Sequence, residues 1–120
     1  PATDGEQMAI RHVIQGQLEA FQKDDGATAF GFSSPGLRER FHNPDRFMKM
    51  VRESYRPVYR PSQIIFGKLD SIDDSTRVQH LLVVGPDGNT HEALYVMERE
   101  KNGKWLIAGC LLRDSDLTAT

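Results

Sequence analysis

The stretch Tyr55-Arg56-Pro57-Val58-Tyr59-Arg60-Pro61 divides this chain of 120 residues into two textures. Before it, apolar residues recur at helical spacing, and the breaks between them carry helix-start signals. After it, Ile, Val and Phe become frequent, and Pro57, Pro61 and Pro86 exclude long helices. Helices first and strands afterwards is the order this implies. Proline fixes its own φ and disfavours the α region for the residue before it, so residues 55–61 are themselves expected to be extended.

Upstream of this divide, Thr3 and Glu6 form a capping-box pattern just before the stripe Ile10, Val13, Ile14, Leu18 and Phe21. This predicts a long first helix whose wet face carries Arg11, Gln15, Glu19 and Gln22. Asp24, Asp25 and Gly26 break the pattern, and either aspartate is placed to cap a short second helix through Phe30 and Phe32. Ser34-Pro35 and Asn43-Pro44 each pair a capping residue with proline at the first helical position. The third helix would bury Leu37 and Phe41; the fourth would bury Phe47, Met50, Val51 and Tyr55.

Downstream, strands are expected at about Ser62 to Leu69, Arg77 to Val84, His91 to Glu100 and Trp105 to Arg113. Asp73-Asp74-Ser75, Pro86-Asp87-Gly88-Asn89 and Asn102-Gly103 are the turns between them, and Asn-Gly is a strong hairpin signal. In the last three strands both side-chain parities are apolar: Leu81 and Val83 alternate with Leu82 and Val84, and Ile107 and Leu111 with Leu106, Ala108, Cys110 and Leu112. A sheet with one face in water should alternate apolar with polar. The second face is therefore expected to meet another copy of the chain, or to curl around a pocket. The fold class is α+β: N-terminal helices packed on a curved antiparallel sheet. No repeat, linker or low-complexity tract suggests more than a single domain over residues 1–120.

Bulk properties exclude several function classes. Lys+Arg 15 against Asp+Glu 17 leaves a net charge of -2 and an isoelectric point near 6.1, unlike a non-specific nucleic-acid binder. The apolar runs are too short to span a bilayer. Cys110 is the single cysteine, so neither an intrachain disulfide nor a thiolate metal cluster is expected. His12, His42, His80 and His91 have unrelated spacings and indicate no metal site. No motif implies a cofactor, and Gly103-Lys104 belongs to a hairpin turn rather than to a phosphate-binding loop. The chain begins at Pro1 rather than Met, which fits removal of an upstream segment.

Helices followed by a strongly bent sheet is the order of the cone-shaped domains related to nuclear transport factor 2, a superfamily that also holds ketosteroid isomerases. Four blocks narrow the likeness: Ile10-Arg11-His12-Val13-Ile14-Gln15-Gly16-Gln17-Leu18-Glu19-Ala20-Phe21, Phe47-Met48-Lys49-Met50-Val51, residues 55–61, and Trp105-Leu106-Ile107-Ala108-Gly109-Cys110. Together they resemble a bacterial family of unknown function, number 4864 in its series, across roughly residues 8 to 113. The resemblance implies a fold and no activity. It also implies an N-terminal secretion signal, hence a periplasmic or secreted setting; a cytoplasmic one is the alternative.

Within such a cone, isomerase chemistry needs a carboxylate base and a protonated donor in an apolar cavity. The candidate acids are Asp24, Asp25, Glu53, Asp70 and Glu92. The first two read as helix caps, Asp70 ends a strand and Glu53 lies on a wet helical face, which leaves Glu92. The repeated Tyr-Arg-Pro points elsewhere, because two phenols and two guanidiniums, joined by Arg52, could clamp a carboxylate or phosphate. Packing tyrosines and ion-paired arginines are the plainer reading. Gln17 sits on the buried stripe of the first helix; it either bonds a crossing strand's backbone or lines a cavity. His80 lies in a strand whose neighbours are expected to be buried, as either a satisfied or edge residue or a base. Cys110 in a central strand reads as a small hydrophobe.

Three functions follow. The first is a non-catalytic domain, a homodimer through the sheet face, binding a small ligand or a protein through a cone mouth bordered by Arg52, Tyr55, Tyr59 and Arg60. The second is an isomerase or hydrolase with a cavity lined by Gln17, Tyr55, His80 and Glu92. The third is an interaction module with an exposed apolar sheet face and a filled core. An ionisable side chain facing a substrate-sized cavity is what separates them.

Overall fold

The computed structural model describes residues 3–115. Its first half is helical: α1 Asp4–Gln22, α2 Gly26–Gly31, α3 Pro35–Phe41, α4 Pro44–Ser54 and the single turn α5 Arg56–Tyr59. Local chemistry starts most of these. Thr3 Oγ1 accepts from Glu6 N–H at 3.1 Å, Asp25 from Thr28 N–H at 3.2 Å, Ser34 from Leu37 N–H at 3.3 Å and Asn43 from Arg46 N–H at 2.9 Å. Each such cap contributes about 1 kcal/mol, by satisfying an amide that the helix leaves unpaired. Glu6 does not close the expected capping box with Thr3, because its carboxylate reaches across to Arg77 and Arg99.

The expected extended conformation of residues 55–61 is not found. Arg56–Tyr59 form a helical turn in which Tyr59 N–H donates to the Tyr55 carbonyl at 2.9 Å. Proline at the start of a helix lacks an N–H that would be unpaired there anyway, so Pro57 is compatible with the turn. Pro61 then ends it, and Arg60 before it leaves the α region at φ -139°, ψ 67°. A second correction concerns Asp24. Only Asp25 caps α2; Asp24 turns the chain at φ 53° and pairs with Tyr59 and Arg60 instead.

The second half is one antiparallel meander in the order β1-β2-β3-β4, comprising β1 Gln63–Asp73, β2 Thr76–Val84, β3 Thr90–Arg99 and β4 Trp105–Asp114. The helices cover one face. Ile10, Ile14, Leu18 and Phe21 of α1 meet Leu81, Val83, Ala93, Tyr95, Met97, Trp105 and Ile107 in a continuous core. Arg11, expected in water, is half-buried with its guanidinium 5.1 Å over the Phe66 ring. Met48 of α4 is buried too, against the Cβ-less surface of Gly26. α1 and α3 both pack on β4, and α5 packs on β2.

Irregular pairing bends the sheet. β1 runs four residues past its expected end through a bulge between Phe66 and Leu69. The buried Gln79 side chain supports that bulge, donating from Nε2 to the carbonyls of Gly67 at 3.0 Å and Lys68 at 3.3 Å. A second irregularity puts one extra residue in β4, since Ile107 opposes Met97 but Gly109 opposes Val96. Consequently Ile107, Cys110 and Leu112 pack on the helix side, while Leu111 is turned out. Strict alternation places Leu111 with Ile107, and the bulge is the reason that it fails.

Candidate functional site

Between the helices and β4 lies a cavity of about 350 Å³. Phe21, Leu37, Phe41, Phe47, Met50, Val51, Val58 and Ile107 make its walls apolar, and its polar lining comes from Gln17, Arg40, Ser54, Tyr55, Tyr95 and Cys110. The bulge in β4 brings Cys110 to this cavity, and the end of α4 at Ser54 lets Tyr55 swing in. Tyr55 Oη donates to the Cys110 carbonyl at 2.8 Å, which ties the α4–α5 junction to β4. Deeper in, Tyr95 Oη donates to Gln17 Oε1 at 3.3 Å. The partner of Gln17 is thus a side chain of a crossing strand rather than its backbone, and Gln17 lines the cavity as well.

The electrostatics of this lining are one-sided. Burial pushes the phenols of Tyr55 and Tyr95 above their ordinary value, that of Tyr95 strongly. Burial likewise pushes the Cys110 thiol up to about 12, so it stays a neutral thiol at physiological pH and is no nucleophile. Arg40, exposed at the rim, supplies the positive charge; its guanidinium lies 5.4 Å over the Phe41 ring. No Asp, Glu or His lines the cavity among the described residues.

The remaining sequence candidates fall elsewhere. Arg52, Tyr59 and Arg60 line a separate hollow of about 260 Å³ with Arg56 and Pro86, so Tyr59 and Arg60 do not border the cavity that Tyr55 faces. The unforeseen turn of α5 separates them: Tyr55 and Val58 look inward, whereas Arg56 and Tyr59 look the other way. Arg60 is held in place, donating to the carbonyls of Phe21 and Tyr59 and pairing with Asp24 at 2.9 Å. It thereby fastens the last turn of α1. The Tyr59 hydroxyl and the Arg60 charge hold the Asp24 carboxyl below its ordinary value.

His80 and Glu92 lie on the outer face of the sheet, away from the helices. Their register partners show why: Leu82 opposes Glu92 and His80 opposes Leu94, while the intervening Gln79, Leu81 and Val83 point into the core. His80 Nε2 lies 2.9 Å from Asp70 Oδ2 and its Nδ1 lies 3.4 Å from Glu92 Oε2. Arg113 Nε donates to Glu92 at 2.6 Å, and this bond, with that of His80, holds the Glu92 carboxyl below its ordinary value. A base for isomerase chemistry needs the opposite shift and a place in the cavity. The cavity of Gln17, Tyr55, His80 and Glu92 is therefore corrected to Gln17 and Tyr55 alone.

Residues 3–120 match the family described as Domain of unknown function (DUF4864). The chain belongs to this family. Among solved structures, it is similar to a domain of unknown function with a cystatin-like fold from Nostoc punctiforme PCC 73102. That likeness has a TM-score of 0.64 at 15% identity, over 98% of this chain and 81% of the other. At that identity it establishes the fold alone: helices followed by a four-stranded antiparallel sheet, the architecture expected of the nuclear transport factor 2-like cone. No curated protein matches. No helix among the described residues is long and apolar enough to cross a membrane.

Arg40, Tyr95 and Cys110 are the site residues of this DUF4864 chain that sequence reasoning missed. Tyr95 and Cys110 read as core because their strands, β3 and β4, are apolar on both parities. Arg40 stands on the last turn of a short helix, where a cation looks like an ordinary complement to the helix dipole.

Proposed function

We propose that this domain is a non-catalytic binding protein whose cavity takes a small apolar molecule ending in a carboxylate. The observation that carries this reading is the lining itself. Apolar walls enclose about 350 Å³, within the size range of small-molecule sites, and the one ion at the rim is the Arg40 guanidinium. An arginine fork binds a carboxylate bidentately, and Gln17 can hydrogen-bond the far end of the ligand. Catalysis is disfavoured because no carboxylate or imidazole lines the cavity among the described residues, and burial keeps Tyr55, Tyr95 and Cys110 neutral.

A thermal-shift series of aromatic and short aliphatic acids, run beside their amides, tests this. A ligand at ~100 times its Kd stabilises the folded state by about 2.7 kcal/mol. The acids are expected to raise Tm above their amides, with the difference abolished in Arg40→Gln and all binding lost in Ser54→Trp, which fills the cavity from its edge. No shift with any acid would leave the cavity as a packing void.

A second reading concerns the outer sheet face. Ile65 and Leu111 are 51% and 58% exposed there, beside Val78, Leu82, Leu94, Val96 and Leu106, and none of the described elements covers them. Asp70, Glu92 and Arg113 on the same face offer both signs of charge to a two-fold mate. A homodimer through this face is the reading that such a surface supports. Sedimentation velocity should give a dimer that Leu111→Glu converts to monomer; a wild-type monomer at high concentration would reject it.

A further inference from the structure

The hollow between α4, α5 and the β2–β3 turn has a charge balance unlike the rest of the chain. Arg52, Arg56 and Arg60 recur at intervals of four residues and line it together, although the helix is interrupted between the first two. Among the described residues, their only lining companions are Tyr59 and Pro86. Three guanidiniums thus converge in a protein whose net charge is -2.

Three acids lie near them. Asp24 pairs with Arg60 at 2.9 Å and also feels Arg52, which helps to hold its carboxyl down. Asp87 is turned back on its own loop, accepting from Asn89 N and Nδ2 at 2.9 Å each. Glu53 follows Arg52 on α4, is exposed, and does not line the hollow. Among the described residues, one carboxylate therefore offsets three guanidiniums, and two positive charges remain over.

The arginines have different duties. Arg60 is preorganised, stacked 4.0 Å over the Tyr59 ring and anchored to the Phe21 and Tyr59 carbonyls. Arg52 and Arg56 are exposed, and neither forms an ion pair with a described residue. Side chains kept for stability at a surface would be matched with nearby acids, whereas these two forks remain available to a guest.

We infer that this hollow binds a phosphate monoester as its dianion, with Arg52 and Arg56 taking the phosphoryl oxygens and Arg60 holding the wall against which they close. A dianion matches the surplus of two charges, and three terminal phosphoryl oxygens suit two planar forks better than one carboxylate does. The Tyr59 ring and Pro86 offer apolar contact to whatever carries the phosphate. This site shares no lining residue with the cavity and stands independently of its proposed ligand.

Titration calorimetry with phenyl phosphate at low ionic strength, where screening is weak, tests the inference on the full chain. Saturable one-site binding is expected, weakened roughly tenfold or more in the double variant R52Q/R56Q. That variant should keep nearly the wild-type melting temperature, because neither side chain forms an ion pair with a described residue, and Arg40→Gln should leave phosphate binding unchanged. Sedimentation with phosphatidic-acid vesicles, compared with neutral ones, separates a lipid headgroup from a free phosphate as the natural source. Vesicle capture of the wild type but not of R52Q/R56Q supports the site with a lipid source. Absence of both binding modes, or equal binding by wild type and R52Q/R56Q, overturns it.

Discussion

Phe21→Ala is expected to lower the unfolding free energy by about 3–5 kcal/mol, the usual cost of emptying a buried aromatic site. Phe21 is 2% exposed at the end of α1, with its ring 6.2 Å from that of Phe47 and 6.4 Å from that of Tyr59. It stands where three things join: the α1 stripe, the aromatic group around Phe47, and the wall of the cavity. Phe47 in turn lies 5.2 Å from Phe30 and 5.8 Å from Phe41, so α2 and α3 depend on the same contacts. Chemical denaturation provides the measurement, with the slope unchanged if the denatured state is unaffected. A loss under ~1 kcal/mol would mean that the core relaxes into the cavity, and that the α1 packing described here is not what holds the helices.

Arg77→Ala should be the largest effect of any charged residue, at about 2–4 kcal/mol, because buried charge-assisted hydrogen bonds and ring stacking are lost together. Arg77 is 8% exposed on the helix side of β2, among apolar neighbours. Its Nη1 donates to the carbonyls of Asp73 at 2.6 Å and Thr76 at 3.0 Å, and its Nε donates to Glu6 at 3.4 Å. The guanidinium also lies 5.5 Å over the ring of Trp105. One side chain thus clasps the β1–β2 turn, the first turn of α1 and the start of β4. Arg99 stacks on the same indole at 5.7 Å, but its side chain is 40% exposed. Arg99→Ala should therefore cost well under half as much, since exposed pairs contribute ~0–1 kcal/mol. Thermal unfolding followed by the fluorescence of Trp105 reads both variants, and equal losses would deny Arg77 its special place.

What could be read from the sequence follows the range of the interactions concerned. Ser34-Pro35 and Asn43-Pro44 mark helix starts correctly because a cap is settled within three residues. The family resemblance extends that reading to the whole fold. Residues 55–61 went astray because proline is compatible with both an extended segment and the opening of a helix; packing of α5 on β2 decides, and packing is not local. The same limit divides the seven candidate residues. Gln17 reaches the cavity on helical periodicity alone, and Tyr55 follows the helical stripe of α4 as the residue that caps its end. His80 and Glu92 depend on which parity of the sheet faces the helices, and with both parities apolar that choice is invisible until register is known. Tyr59 and Arg60 were separated from Tyr55 by a single unforeseen turn. Cys110 required a bulge that leaves no mark in composition.

The packing of α1 on β4 has a consequence for how the molecule comes into being. During synthesis the stripe Ile10, Ile14, Leu18 and Phe21 is made first, yet the strand that α1 covers, Trp105–Asp114, is made last. The meander itself forms from neighbouring hairpins, which close quickly, but α1 must wait for residues 105–114 before β4 completes the cover of its apolar side. A nascent or truncated chain lacking β4 would carry an uncovered greasy helix, the kind of surface that chaperones retain and aggregates recruit. Completion of β4 is thus the step that joins the two ends of the fold.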